Sequence, residues 1–109
     1  MSFDMNKLMQ QAAQMQEQVQ KMQQEAENET AEASAGGGTV KVTANGAGRV
    51  LSIAISPEAI DPSDPEALAD LVLAGVNEAL RSAAAKVEAK AQQMQSELLG
   101  GLGLPGLGE

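Results

Sequence analysis

Two helix-patterned stretches of the chain carry cations with few acids beside them. Residues 5–24 hold Lys7 and Lys21 against Glu17, and residues 79–96 hold Arg81, Lys86 and Lys90 against Glu88. Lys86 and Lys90 are four residues apart and share a helical face. The chemistry open to such groups is neutralisation of an anion. Ammonium and guanidinium groups donate charge-assisted hydrogen bonds to phosphate, and on a duplex they release condensed counterions. Lys41 and Arg49 form a second-rank pair: residues 36–56 contain both and no acid, but on a sheet whose faces packing can occupy. The plainer alternative is that these cations only solubilise an exposed coil. The rest of the chain is acidic, with 7 basic against 15 acidic side chains and a net charge of −8. Any grip on a polyanion must therefore be local.

Most other chemistry is excluded by composition. The 109 residues include no Cys, His, Trp or Tyr, and Phe3 is the one aromatic. Disulfides, Cys/His zinc sites, Ser-His-Asp triads and aromatic base-stacking platforms are ruled out. Gly36, Gly37 and Gly38 precede a strand pattern, and Gly46-Ala47-Gly48 lies within a hairpin pattern, whereas a phosphate-cradling loop needs a helix after its glycines. Glu25, Glu27, Glu29 and Glu32 lack the spacing of a calcium loop and read as a solvated acidic face. Asn28-Glu29-Thr30 matches a glycosylation acceptor by chance, because no secretory signal accompanies it. The expectation is a chain with no catalytic residue, cofactor, metal or small-molecule substrate, and no enzyme activity. Apolar runs fall far short of the ~20 residues of a membrane span, so a soluble intracellular protein is expected.

The elements that must position the cations follow from periodicity. Met5, Leu8, Ala12, Met15, Val19, Met22 and Ala26 alternate at three and four residues, the rhythm of a heptad seam. Glutamines such as Gln10, Gln14, Gln18 and Gln20 fill the outer positions. A stripe so narrow wants a partner helix, in the same chain or in a second one. Thr30 to Ala35 alternates weakly and suggests a short edge strand. Thr39–Ala44 and Arg49–Ser56 flank Asn45-Gly46, the dipeptide of tight hairpin turns with positive φ. Asp64, Pro65 and Glu66 then make a helix start, as cap, first helical residue and dipole partner. Apolar residues recur at helical spacing from Leu68 to Leu98, and Gly100-Gly101 ends the run.

The fold class expected is α+β: a long N-terminal helix, a small antiparallel three-stranded sheet and a long C-terminal helix. Residues 1–99 form a single domain and 100–109 a flexible glycine-rich tail. A helix over 65–99 spans roughly 50 Å, more than a small sheet can cover. Its Leu- and Val-rich first half should lie on the sheet. The Ala-rich second half should project and pack along the heptad helix, placing Lys7, Lys21, Arg81, Lys86 and Lys90 together on projecting arms. Without aromatics a monomeric core is thin, which favours self-association.

Several stretches carry a family resemblance: MNKLMQQAAQMQEQVQKMQQE at 5–25, GGG at 36–38, VKVTANG at 40–46, VLSIAISPE at 50–58, LVLAGVNEAL at 71–80 and GGLGLPG at 100–106. Together they resemble the YbaB/EbfC family of bacterial nucleoid-associated proteins. The resemblance implies a tweezer-like homodimer with a central sheet from both subunits and helical arms. It implies DNA binding with broad or no sequence preference, a cytoplasmic, nucleoid-associated location, an influence on nucleoid organisation and gene expression, and no cofactor. It brings no motif that assigns individual DNA contacts. Glutamine stands here where family members often carry lysine in the first helix, and a dimer doubles the negative charge. Binding should therefore be weak and fall steeply with salt. The competing expectations are a coiled-coil protein-protein adaptor and an oligomerisation or holdase-like module, neither of which binds DNA.

Overall fold

The computed structural model describes residues 4–101. In order, these form α1 (Met5–Asn28), β1 (Thr30–Ala35), β2 (Val40–Asn45), β3 (Val50–Ile55) and α2 (Pro65–Gly101). The architecture is α+β, with one antiparallel sheet in the order β1-β2-β3. Asp4 opens α1, its Oδ1 accepting from the Lys7 N–H at 3.2 Å. At the other end Glu29 turns extended, and its N–H still reaches the carbonyls of Glu25 and Ala26. The weakly alternating Thr30–Ala35 segment is the edge strand its sequence suggests, joined to β2 by a glycine turn in which Gly36, Gly37 and Gly38 all take positive φ.

Strand alternation sorts the sheet into two faces. Ala31, Ala33, Val40, Val42 and Ala44 point to one side and are buried there, while Glu32, Ser34 and Lys41 point to the other and are exposed. The buried side lies under α2, which presents Gly75, Ala79 and Ala83 with Leu68, Leu71, Val72, Val76 and Leu80 around them. These small residues let the helix approach closely. A Cβ on Gly75 would stand 2.9 Å from Val42 Cγ2, nearer than such contacts allow. This corrects the expected division of α2. Ala79 and Ala83 belong to the sheet-covering half because they are small, and the projecting part begins beyond them.

A helix about 10 Å wide covers about two strands spaced 4.8 Å apart. α2 accordingly packs on β1 and β2 and barely reaches β3. Ile53 and Ile55 pair with Val42 and Val40 and share their face, yet Ile53 remains 44% exposed.

The hairpin forms as expected, but its turn differs from the sequence reading. Positive φ falls on Gly48 and not on Asn45 or Gly46. Asn45 Oδ1 accepts from the N–H groups of Ala47 at 3.1 Å and Arg49 at 3.0 Å, which organises a longer loop. Gly46 serves close approach instead: its N–H donates to the carbonyls of Ala26 at 2.9 Å and Glu29 at 2.8 Å, and any Cβ would collide with Val87.

The start of α2 follows its sequence signals, with Asp64 Oδ1 accepting from the Ala67 N–H at 3.2 Å. Just before it, the Asp61 carboxylate accepts from the Ser63 hydroxyl at 2.7 Å and the Ser63 N–H at 3.0 Å. Both bonds favour the ionised form and hold Asp61 below the usual aspartate range. At its far end α2 takes in Gly100 and Gly101 rather than stopping before them, and residues 102–109 lie outside the described residues.

Among the described residues nothing covers the heptad seam of α1 before Met22. Every residue from Met5 to Gln24 is exposed, Met15 at 69%. α1 and α2 share an apolar cleft only at its base, where Met22 and Ala26 face Val87, Ala91 and Met94. The expected packing of the projecting half of α2 along the whole heptad helix does not occur. The backbone hydrogen bonds that tie α1 to the hairpin, from the Gly46 N–H to the Ala26 and Glu29 carbonyls, fall in its last turn or just beyond it. The described molecule is long and thin as a result, with extents of 76 × 36 × 17 Å.

Candidate nucleic-acid interface

The structure separates the five helix cations into three sets. Lys7 and Lys21 lie on α1, both exposed, on the side of the helix away from the seam. At separations of three, four, three and four, Lys7, Gln10, Gln14, Glu17 and Lys21 form one row. Lys86 and Lys90 lie instead where the two helices and the sheet meet. Lys86 Nζ donates to the Thr30 carbonyl at 2.7 Å, and Lys90 Nζ pairs with Glu29 Oε2 at 3.2 Å. These two side chains fasten α2 to the junction between α1 and β1. Both remain exposed, so an anion from solvent can reach each of them.

Arg81 corrects the expected placement in another way. It sits between the buried Ala79 and Ala83, on the outward side of the sheet-covering part of α2, so it does not project. Its guanidinium pairs with Glu78 one turn back. Lys41 occupies the sheet face opposite α2, paired across the strands with Ser34 and Ala54, and Arg49 lies in the exposed hairpin loop. The sheet face that packing occupies is therefore not the one that bears Lys41.

The acids reinforce the division. Glu25 and Glu29 are half-buried and line the apolar cleft, and Glu27 and Glu32 lie nearby in sequence on α1 and β1. In α1, residues 5–24 carry only Glu17 against Lys7 and Lys21. The lysines of α1 thus stand clear of the acidic cluster at the base of the arms, whereas Lys86 and Lys90 stand beside it. Spacing in the sequence reveals the lysine and glutamine row directly. It gives no signal for the Lys90–Glu29 pair or the Lys86–Thr30 bond, which join residues far apart along the chain.

Among the described residues no group of three or more His, Cys, Asp or Glu side chains converges as a metal site. No described helix is long and apolar enough to cross a membrane.

Comparison with known proteins agrees with the sequence resemblance. Residues 1–98 match the model of the YbaB/EbfC DNA-binding family. A nucleoid-associated protein of Thermoanaerobacter pseudethanolicus is 47% identical over 105 residues, covering 96% of this chain and 91% of the relative. One from Desulforamulus reducens is 49% identical over 107 residues, covering 98% of each chain. Among solved structures, an uncharacterized protein from Helicobacter pylori has the same fold, with a TM-score of 0.63 over 90% of this chain and 99% of that one at 19% identity. On this match of sequence along nearly its whole length, the chain belongs to the YbaB/EbfC DNA-binding family.

Proposed function

We propose that the protein is a nucleoid-associated DNA-binding protein that works as a homodimer and grips duplex DNA with its helical arms. The observation that carries the reading is the family match over residues 1–98. The distribution of charge is consistent with it. In a chain of net charge −8, residues 5–24 carry two lysines against one glutamate, while Glu25, Glu27, Glu29 and Glu32 cluster where α1 meets β1. In this reading Lys7 and Lys21 contact phosphates first. Lys86, Lys90 and Arg81 join only by giving up Thr30, Glu29 and Glu78. No catalytic step, cofactor or metal enters the mechanism.

The dimer is supported by what α2 leaves uncovered. β3 is an edge strand, and Leu51, Ile53 and Ile55 on it are all exposed. Leu73 of α2 and Ile60 are exposed as well. A free edge beside exposed aliphatic side chains is a surface that a second copy can cover. Residues 1–99 act as one domain in this reading, with 100–109 appended to it.

Mobility shift of a short duplex across a salt series tests the function. The complex should form at low salt and weaken steeply between roughly 50 and 200 mM. Lys7→Ala and Lys21→Ala should each reduce the log-log salt slope by about 0.9 for every phosphate that the lysine neutralises. Lys86→Ala and Lys90→Ala should reduce it less, because their ammonium groups already have protein partners. Absence of a shift even in dilute buffer would refute the reading.

A further inference from the structure

We propose that the outer row of α1 reads base edges as well as phosphates, with Gln10 and Gln14 as adenine-directed contacts held between Lys7 and Lys21. The inference rests on the DNA-binding reading above and names the residues that set sequence preference within it.

The row runs Lys7, Gln10, Gln14, Glu17, Lys21, Gln24, two residues out of step with the apolar seam and therefore on the opposite side of the helix. All six residues are exposed. Neither the sheet nor α2 covers α1 before Met22, so the row is open along most of its length. At about 1.5 Å per residue, Lys7 and Lys21 stand about 21 Å apart along the axis, with Gln10, Gln14 and Glu17 between them. The major groove is about 12 Å wide and admits one helix. A helix seated in it with its middle over the bases carries its two end lysines toward the backbone phosphates.

The chemistry of the middle selects that arrangement. Glu17 is repelled by phosphate, but over base edges its carboxylate can accept from the cytosine amino group. A surface meant for phosphate alone gains affinity from cations at these positions, since an amide releases no counterions. Glutamine instead presents one donor and one acceptor on a single amide, the pair that adenine N7 and N6 match in the major groove. Lysines at the ends and amides in the middle thus divide the work into anchoring and reading.

The test is competition of the full chain between two duplexes of equal length, one A·T-rich and one G·C-rich, over a salt series. The A·T-rich duplex should bind about fivefold tighter or better. Gln10→Ala together with Gln14→Ala should erase that difference. Alanine favours helix, so α1 is preserved, which circular dichroism verifies. Lys7→Ala together with Lys21→Ala should weaken both duplexes alike and flatten the salt slope. Replacing adenine by 7-deazaadenine should remove the preference in the unaltered chain. Equal affinity of that chain for both duplexes overturns the inference, and so does a difference that survives the glutamine double variant. Both of those results leave the DNA-binding reading standing, whereas failure to bind either duplex in dilute buffer overturns that reading itself.

Discussion

α1 and α2 share one sequence rhythm and have opposite fates. In both, apolar residues return at three and four positions, yet the stripe of α2 closes onto β1 and β2 while that of α1 faces solvent. Val42 and Ala79 have no exposed surface, whereas Met5 is 61% exposed. Periodicity therefore identifies a helix and its apolar side but says nothing about where the covering partner resides. The partner of α2 is the sheet that precedes it in the chain. Among the described residues the stripe of α1 finds only Val87, Ala91 and Met94, and only in its last two turns. Stability and reach are accordingly assigned to different parts of the molecule.

That contrast can be broken at its strongest point. Val42→Asp places an unpaired carboxylate between the sheet and Gly75 of α2. It should destabilise the fold by roughly 4 kcal/mol or more, read as loss of the cooperative transition in thermal denaturation followed by circular dichroism. A variant that melts normally would mean that α2 does not seal the sheet.

An intermediate effect is expected on β3, which belongs to the body but resembles the arms in exposure. Ile53→Lys should cost the single chain little, about 1 kcal/mol, because the side chain is already 44% exposed. In solution it should shift the mass measured by analytical ultracentrifugation from two chains toward one. Retention of the dimer mass would move the subunit contact away from this strand.

The smallest effect belongs to the arm. Met15→Ser should change the unfolding free energy of the body by less than about 0.5 kcal/mol in urea denaturation, since Met15 contacts neither sheet nor α2. A larger loss would show that the seam is covered in solution, by a second chain, and would narrow the contrast between the two helices.

Local signals are legible in the sequence and distant ones are not. The helix start at Asp64-Pro65-Glu66 and the two strands around Asn45 depend on neighbouring residues, and each appears where its pattern lies. The role of Gly46 escapes a local reading because its constraint comes from Val87 and from the Ala26 carbonyl, which the fold brings to the hairpin. Ala79 and Ala83 look like arm residues by composition and become core by geometry, since only small side chains fit where helix and strands run closest. For the interface, the row from Lys7 to Lys21 can be read from spacing alone. The partners that hold Lys86 and Lys90 at the junction are set by tertiary contacts that no spacing predicts.

The attachment of α1 by its last two turns gives it the form of a lever with its fulcrum near Ala26. From that fulcrum to Met5 the rod measures about 31 Å, so a swing of about 10° displaces its tip by about 5 Å. If two chains pair as proposed, an angular adjustment that leaves the β-sheet undisturbed is enough to change the gape between their rods. In the proposed dimer, such rods would clasp double helices of differing local width without repacking the body.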